Sequence, residues 1–86
     1  MKHYKFPFYV EALPIDAVSI QSGYGNTVYE ALQVACYGFS SKDITFKKAW
    51  RLPEDSALVY IDGKDELINT KTGEFYDRSK FTEVNF

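Results

Sequence analysis

The sequence predicts an α+β fold, with one main α-helix packed on one face of a mostly antiparallel sheet of three to five strands. Three observations carry this. One segment alone combines a capping signal with an apolar stripe at helical spacing, around residues 27–38. Several short runs that read as strands are separated by two- to four-residue turn signals, Asp62-Gly63 the clearest. The composition is globular, 45% hydrophobic and 26% charged over 86 residues, a length that fits one domain spanning residues 1–86.

The first strand is read in Tyr4 to Glu11, where Tyr4, Phe6, Phe8 and Val10 alternate with Lys5, Pro7, Tyr9 and Glu11. Pro7 has no N–H, which places this strand at an edge or at a bulge. Leu13-Pro14-Ile15-Asp16 breaks the alternation, and Ala17 to Gln21 fits either a strand or an extended loop. Ser22-Gly23-Tyr24-Gly25-Asn26 reads as a flexible, turn-prone lead-in to the helix. Thr27 stands three residues before Glu30, the spacing of a capping box, with Asn26 as the competing cap. Val28, Ala31, Leu32, Ala35 and Phe39 form the apolar stripe, and Gly38 marks a stop after about 11 residues. Tyr29, Gln33 and Tyr37 lie on another face, where core formation does not require them.

Ile44 to Leu52 is the strongest strand. Ile44, Phe46, Trp50 and Leu52 share the expected core face, interrupted by Lys48, while Thr45, Lys47, Ala49 and Arg51 form an outer, basic face. Pro53 to Ser56 is a turn and Ala57 to Ile61 a short apolar strand. Asp62-Gly63 turns the chain toward Glu66 to Asn69, and Thr70 to Gly73 forms a second loop in which Gly73 can take positive φ. Glu74 to Tyr76 then returns as a strand. Residues 78–86 are open between strand, short helix and arm, but Phe81, Val84 and Phe86 predict that they dock.

The net charge is −2, unevenly distributed. Residues 42–53 carry +3, from Lys42, Lys47, Lys48 and Arg51 against Asp43, and residues 54–66 carry −4. Such a surface orients a partner without deciding the fold. Cys36 has no second cysteine to pair with, which suits a cytoplasmic setting. One Cys and one His cannot build a structural zinc site of the usual kind. The basic N-terminus has no apolar run behind it, so neither a signal peptide nor a membrane span is expected, and no membrane partner.

Catalytic chemistry finds little support. Cys36 and the only histidine, His3, would make a nucleophile–base pair in principle. His3, however, lies in a terminal segment, and Cys36 sits between core positions of the helix, where a thiol behaves as a small hydrophobe. Asp62, Asp65 and Glu66 cluster on a hairpin rather than in a cleft. The stretch Asp62 to Glu66 lacks the alternating ligands of a calcium loop. Gly23-Tyr24-Gly25-Asn26 before a helix hints at an anion nest but matches neither a dinucleotide fingerprint nor a P-loop. The reading is therefore no enzyme, no catalytic residue, no metal and no cofactor.

The aromatic surplus, 7 Phe, 7 Tyr and 1 Trp, is the main functional signal. Aromatic side chains bury about 150–250 Å² each, so a core of this size cannot absorb them all along with Val, Ile and Leu. Tyrosines left at the surface are typical anchors of protein interfaces. The expected function is a small non-catalytic protein-interaction module, a regulator or inhibitor that occupies a partner protein's surface. Tyr24, Tyr29 and Tyr37 are its candidate anchors, with Tyr9 and Tyr76 further candidates on the sheet. Lys47, Lys48 and Arg51, and the acidic Asp62, Asp65 and Glu66, would set orientation. Two alternatives stand beside it. One is a nucleic-acid-binding domain using the basic 42–51 segment. The other is a structural, self-associating protein that homodimerises through an edge strand, either the Pro7-bearing first strand or the C-terminal one, or through an exposed aromatic patch.

Overall fold

The computed structural model describes residues 2–39 and 43–86. The chain runs β1 (Phe8–Pro14), β2 (Gln21–Gly25), α1 (Val28–Ala35), β3 (Ile44–Arg51), β4 (Ser56–Ile61), β5 (Lys64–Asn69), a 3₁₀ turn (Arg78–Lys80) and β6 (Thr82–Val84). β2, β1, β3 and β6, in that order, form a four-stranded antiparallel sheet, and β4 and β5 form a separate two-stranded hairpin. The expected α+β class holds, with one helix on a mostly antiparallel sheet.

The helix cap is the one the sequence signals. The Glu30 amide donates to Thr27 Oγ1 at 3.0 Å, and the Glu30 carboxylate accepts the Asn26 amide at 3.1 Å. The helix is shorter than expected, eight residues, with Cys36 as its C-cap. Gly38, at φ +84°, carries the exit turn.

Four expectations are corrected. Residues 22–26 are mainly strand, not a flexible lead-in, because Gly23 and Gly25 are what lets α1 lie on β2. A Cβ at Gly23 would stand 2.5 Å from the Ala31 carbonyl oxygen, and one at Gly25 2.5 Å from the Ala31 amide nitrogen. In β3, Ala49 is fully buried rather than outward, since it pairs with Val10 beneath the helix, and Trp50 lies half-buried on the opposite face. A bulge between Leu13 and Pro14 lets Ile44 rejoin the helix side, whereas Phe46 stays with Leu13. In the first segment the strand begins only at Phe8, so Phe6 no longer shares a face with Phe8. Glu74 to Tyr76 makes a single bridge, Phe75 to Ile68, rather than a strand.

Two apolar clusters result. The first, under the helix, joins Val10, Ala12, Ala31, Cys36 and Ala49, with Phe8, Val28, Leu32, Ile44 and Val84 around them. The second lies on the other side of the sheet. There Leu52, Leu58 and Leu67 pack with Phe6, Tyr9, Tyr24, Tyr76 and Phe81, so the hairpin is attached to the sheet largely through aromatic rings. The tail docks as expected. Phe81 joins the second cluster, and Arg78 meets Glu11 at 3.1 Å while lying over the Trp50 ring at 5.0 Å.

Candidate functional site

β2 is an edge strand, and a groove of about 800 Å³ runs along it. Its floor is β2 itself, from Ser22 to Gly25. One wall is the helix, which contributes Glu30, Gln33 and Val34 and, just past its end, Tyr37. Positions spaced by three, four and seven residues share one helical face, so a single surface of α1 and its exit lines the groove. The other wall is Phe6, Leu58 and Asp65, from the N-terminal segment and the hairpin.

Tyr24 and Tyr9 join floor to wall. Their rings lie 4.9 Å apart, and Tyr9 also meets Trp50 at 5.6 Å and Phe81 at 6.0 Å. The Tyr9 hydroxyl donates to Glu11 Oε2 at 2.8 Å. Burial, then that carboxylate acceptor, pushes the Tyr9 phenol well above its ordinary range. Burial also raises the Tyr24 phenol, and the nearby Asp65 and Glu66 carboxylates add to it. The negative field of the hairpin therefore reaches the groove floor.

The predicted residues divide clearly. Tyr24, Tyr37 and Asp65 come together in this groove, from three different elements. Tyr37 is 87% exposed, whereas Tyr24 is half-buried. Tyr29 is 69% exposed but lies outside the groove, although Gln33, one turn on, lines it. Glu66 is partly buried beside the site, and Asp62, at φ +51°, forms the hairpin tip with Gly63.

The basic residues do not make one continuous face. Lys47 and Arg51 point to the helix side and stand over the rings of Phe86 and Phe8, at 4.5 and 5.0 Å. Lys48 points to the other side, where it meets Glu83 at 3.9 Å. Lys42 lies outside the described residues. Tyr76 sits away from the groove and donates its hydroxyl to Asp55.

Sequence reading missed Val34, Phe6 and Leu58. Val34 is 56% exposed, and its exposure could be expected from its place between Gln33 and Ala35, off the apolar stripe. Phe6 and Leu58 had no local signal, because only the docking of the hairpin brings them to β2. Cys36 is buried, and burial raises its thiol, while His3 is exposed. Among the described residues, no three His, Cys, Asp or Glu side chains gather to hold a metal ion, and no helix is long and apolar enough to cross a membrane. Comparison of the chain with protein-family models, with curated proteins and with solved structures finds no match.

Proposed function

We propose that this chain is a small non-catalytic protein-interaction module, a regulator or inhibitor that acts in the cytoplasm by engaging another protein through the β2 groove. The observation that supports this best is the convergence of Tyr24, Tyr37 and Asp65, from strand, helix exit and hairpin, along one open groove. Large amphipathic rings beside an exposed valine supply apolar area at low entropy cost, and flanking carboxylates supply orientation. The buried, inert thiol of Cys36 suits a reducing compartment and offers no nucleophile at the surface.

The test is affinity capture on the immobilised full chain from a native lysate with nuclease present, read by mass spectrometry. The comparison is with Tyr37→Asp, a change at an exposed position that leaves both apolar clusters intact. The expected result is a defined partner enriched at least tenfold by the wild type and lost by the variant. Equal recovery by both overturns the groove as the interface. Partners recovered only in a parallel capture without nuclease would favour the nucleic-acid reading instead, through Lys47, Lys48 and Arg51.

A further inference from the structure

We infer that the groove takes an extended segment of the partner protein, carrying a lysine or arginine, which adds to the free edge of β2 as a further antiparallel or parallel strand. The inference rests on the protein-binding reading above and adds its mode and its chemistry.

The hydrogen-bonding pattern of the sheet identifies the groups on offer. The Pro7 carbonyl accepts the Leu52 amide at 2.8 Å, so odd positions of β1 direct their main chain toward β3 and even positions toward β2. Val10 and Phe8 therefore bond across to Gly23 and Gly25. The main-chain groups of Ser22 and Tyr24 point the other way, out of the sheet and into the groove. Two successive outward pairs make the template that strand addition needs.

Edges are ordinarily blunted, and the rest of this molecule follows that rule. The outer side of β4 is bridged by Tyr4, and the outer side of β5 by Phe75. The other edge of the large sheet, β6, is only three residues long. β2 has five residues, Gln21-Ser22-Gly23-Tyr24-Gly25, with no proline, lysine or other charge to discourage pairing. Its glycines bring the helix close on one side, and Ser22 and Tyr24 line the groove beside them.

Charge selects the occupant. Glu30 and Asp65 stand on opposite walls, and among the described residues no lysine or arginine lines the groove. Asp65 and Glu66 also bear on the Tyr24 phenol beneath, opposed in part by Arg78. A second copy of this chain would bring the same two carboxylate walls against each other, whereas a cationic segment answers both. Tyr37 and Val34 then offer apolar contact to the side chains that alternate with the cation on the added strand.

The experiment uses a phage-displayed random 12-residue peptide library selected on the full-length chain, followed by synthesis of the enriched peptides. Enrichment of Lys or Arg between apolar residues is expected. N-methylation of alternate backbone amides is the decisive step. Blocking one alternate set should weaken binding at least tenfold, and blocking the other less than threefold, because only one set faces β2. In the bound state the Ser22 and Tyr24 amides should gain protection from hydrogen exchange. Glu30→Gln with Asp65→Asn, which keeps the helix-capping geometry, should weaken binding at least threefold and flatten its salt dependence. Peptides that bind with no dependence on which amides are blocked, or that are acidic, overturn strand addition while leaving the protein-binding reading intact. Failure to select any peptide also overturns it, and the capture comparison at Tyr37 then judges the broader reading separately. A dimer at micromolar concentration in sedimentation, with protection at Ser22 and Tyr24 in the free protein, would assign the edge to a second copy instead.

Discussion

At the scale of single residues, glycine and alanine decide how the helix meets the sheet. Ala31 and Ala35 face β2 across Gly23 and Gly25, and α1 approaches so closely that the place of a Cβ is taken by helix backbone. Backbone cannot move aside as a side-chain tip can. Gly23→Ala and Gly25→Ala are each expected to destabilise the fold by about 2–3 kcal/mol, the upper range for overpacking a tight contact. Urea unfolding measures this, and Gly73→Ala is the internal control. Gly73 has open space around it and only its positive φ, +76°, to resist substitution, so its cost should be about 1 kcal/mol. This is also where sequence reading failed most instructively. Gly-Tyr-Gly looks like a turn because glycine permits turns, and the same missing side chain serves a strand that lies under a helix. No local pattern separates the two uses, since the reason for the glycines is 6 to 12 residues away, in Ala31 and Ala35.

At the scale of elements, what was legible depended on whether the signal was local. The Thr27–Glu30 cap, the Asp62-Gly63 turn and the positive φ at Gly73 all follow from neighbours a few residues apart, and all are present. The faces of β3 were not legible, because Ala49 is small enough for either side and only its pairing with Val10 puts it under the helix. Nor was the groove, whose second wall comes from a hairpin more than 30 residues away. The second loop shows a tertiary polar link of the same kind. Tyr76 donates to Asp55, and Asn69 Nδ2 donates to the Tyr76 hydroxyl at 3.2 Å, while the Thr70 amide donates to the Asp55 carbonyl at 2.8 Å. These bonds tie the end of β5 to the turn before β4. The Tyr76 hydroxyl holds the Asp55 carboxyl below its ordinary 3.8, and the same bond raises the Tyr76 phenol above 10.0. The signs differ in consequence. The Asp55 contribution to stability is present above pH 3.8 and is lost as pH falls through the depressed folded value. The Tyr76 contribution is present below pH 10.0 and is lost as pH rises through the raised folded value. Tyr76→Phe should therefore return the Asp55 titration toward 3.8, followed by carbon-detected NMR. The stability difference between wild type and variant should also narrow at both pH extremes. An unchanged Asp55 titration would show that the bond is not maintained in solution.

At the scale of the whole molecule, the two clusters are unequal in how they are tied. The helix cluster is closed by main-chain ladders on every strand it touches. The second joins the hairpin to the sheet through the rings of Phe6, Tyr9, Tyr24 and Phe81, one main-chain bridge at Tyr4, and the short β3–β4 connection. The molecule is correspondingly spread, measuring 40 × 29 × 19 Å, with 5939 Å² of accessible surface against about 5,200 Å² for a compact chain of this mass. The excess is consistent with a groove left between sheet and hairpin. The hairpin should accordingly be the first unit to open. Leu58 tests this, because it is 9% exposed, belongs to the second cluster and forms part of the groove wall. Leu58→Ala should cost about 2–3 kcal/mol, the lower part of the range for removing a buried leucine, since the cavity it leaves is open to solvent on one side. In native-state hydrogen exchange, protection of the β4 and β5 amides should fall by more than tenfold relative to the centres of β1 and β3. The groove would lose a wall while keeping its β2 floor, so peptide binding should weaken more than Ser22 and Tyr24 change in the free protein. Uniform loss of protection across both sheets would mean that hairpin and sheet unfold as one unit. In that case the aromatic joint couples the groove to global stability rather than giving it freedom to adapt.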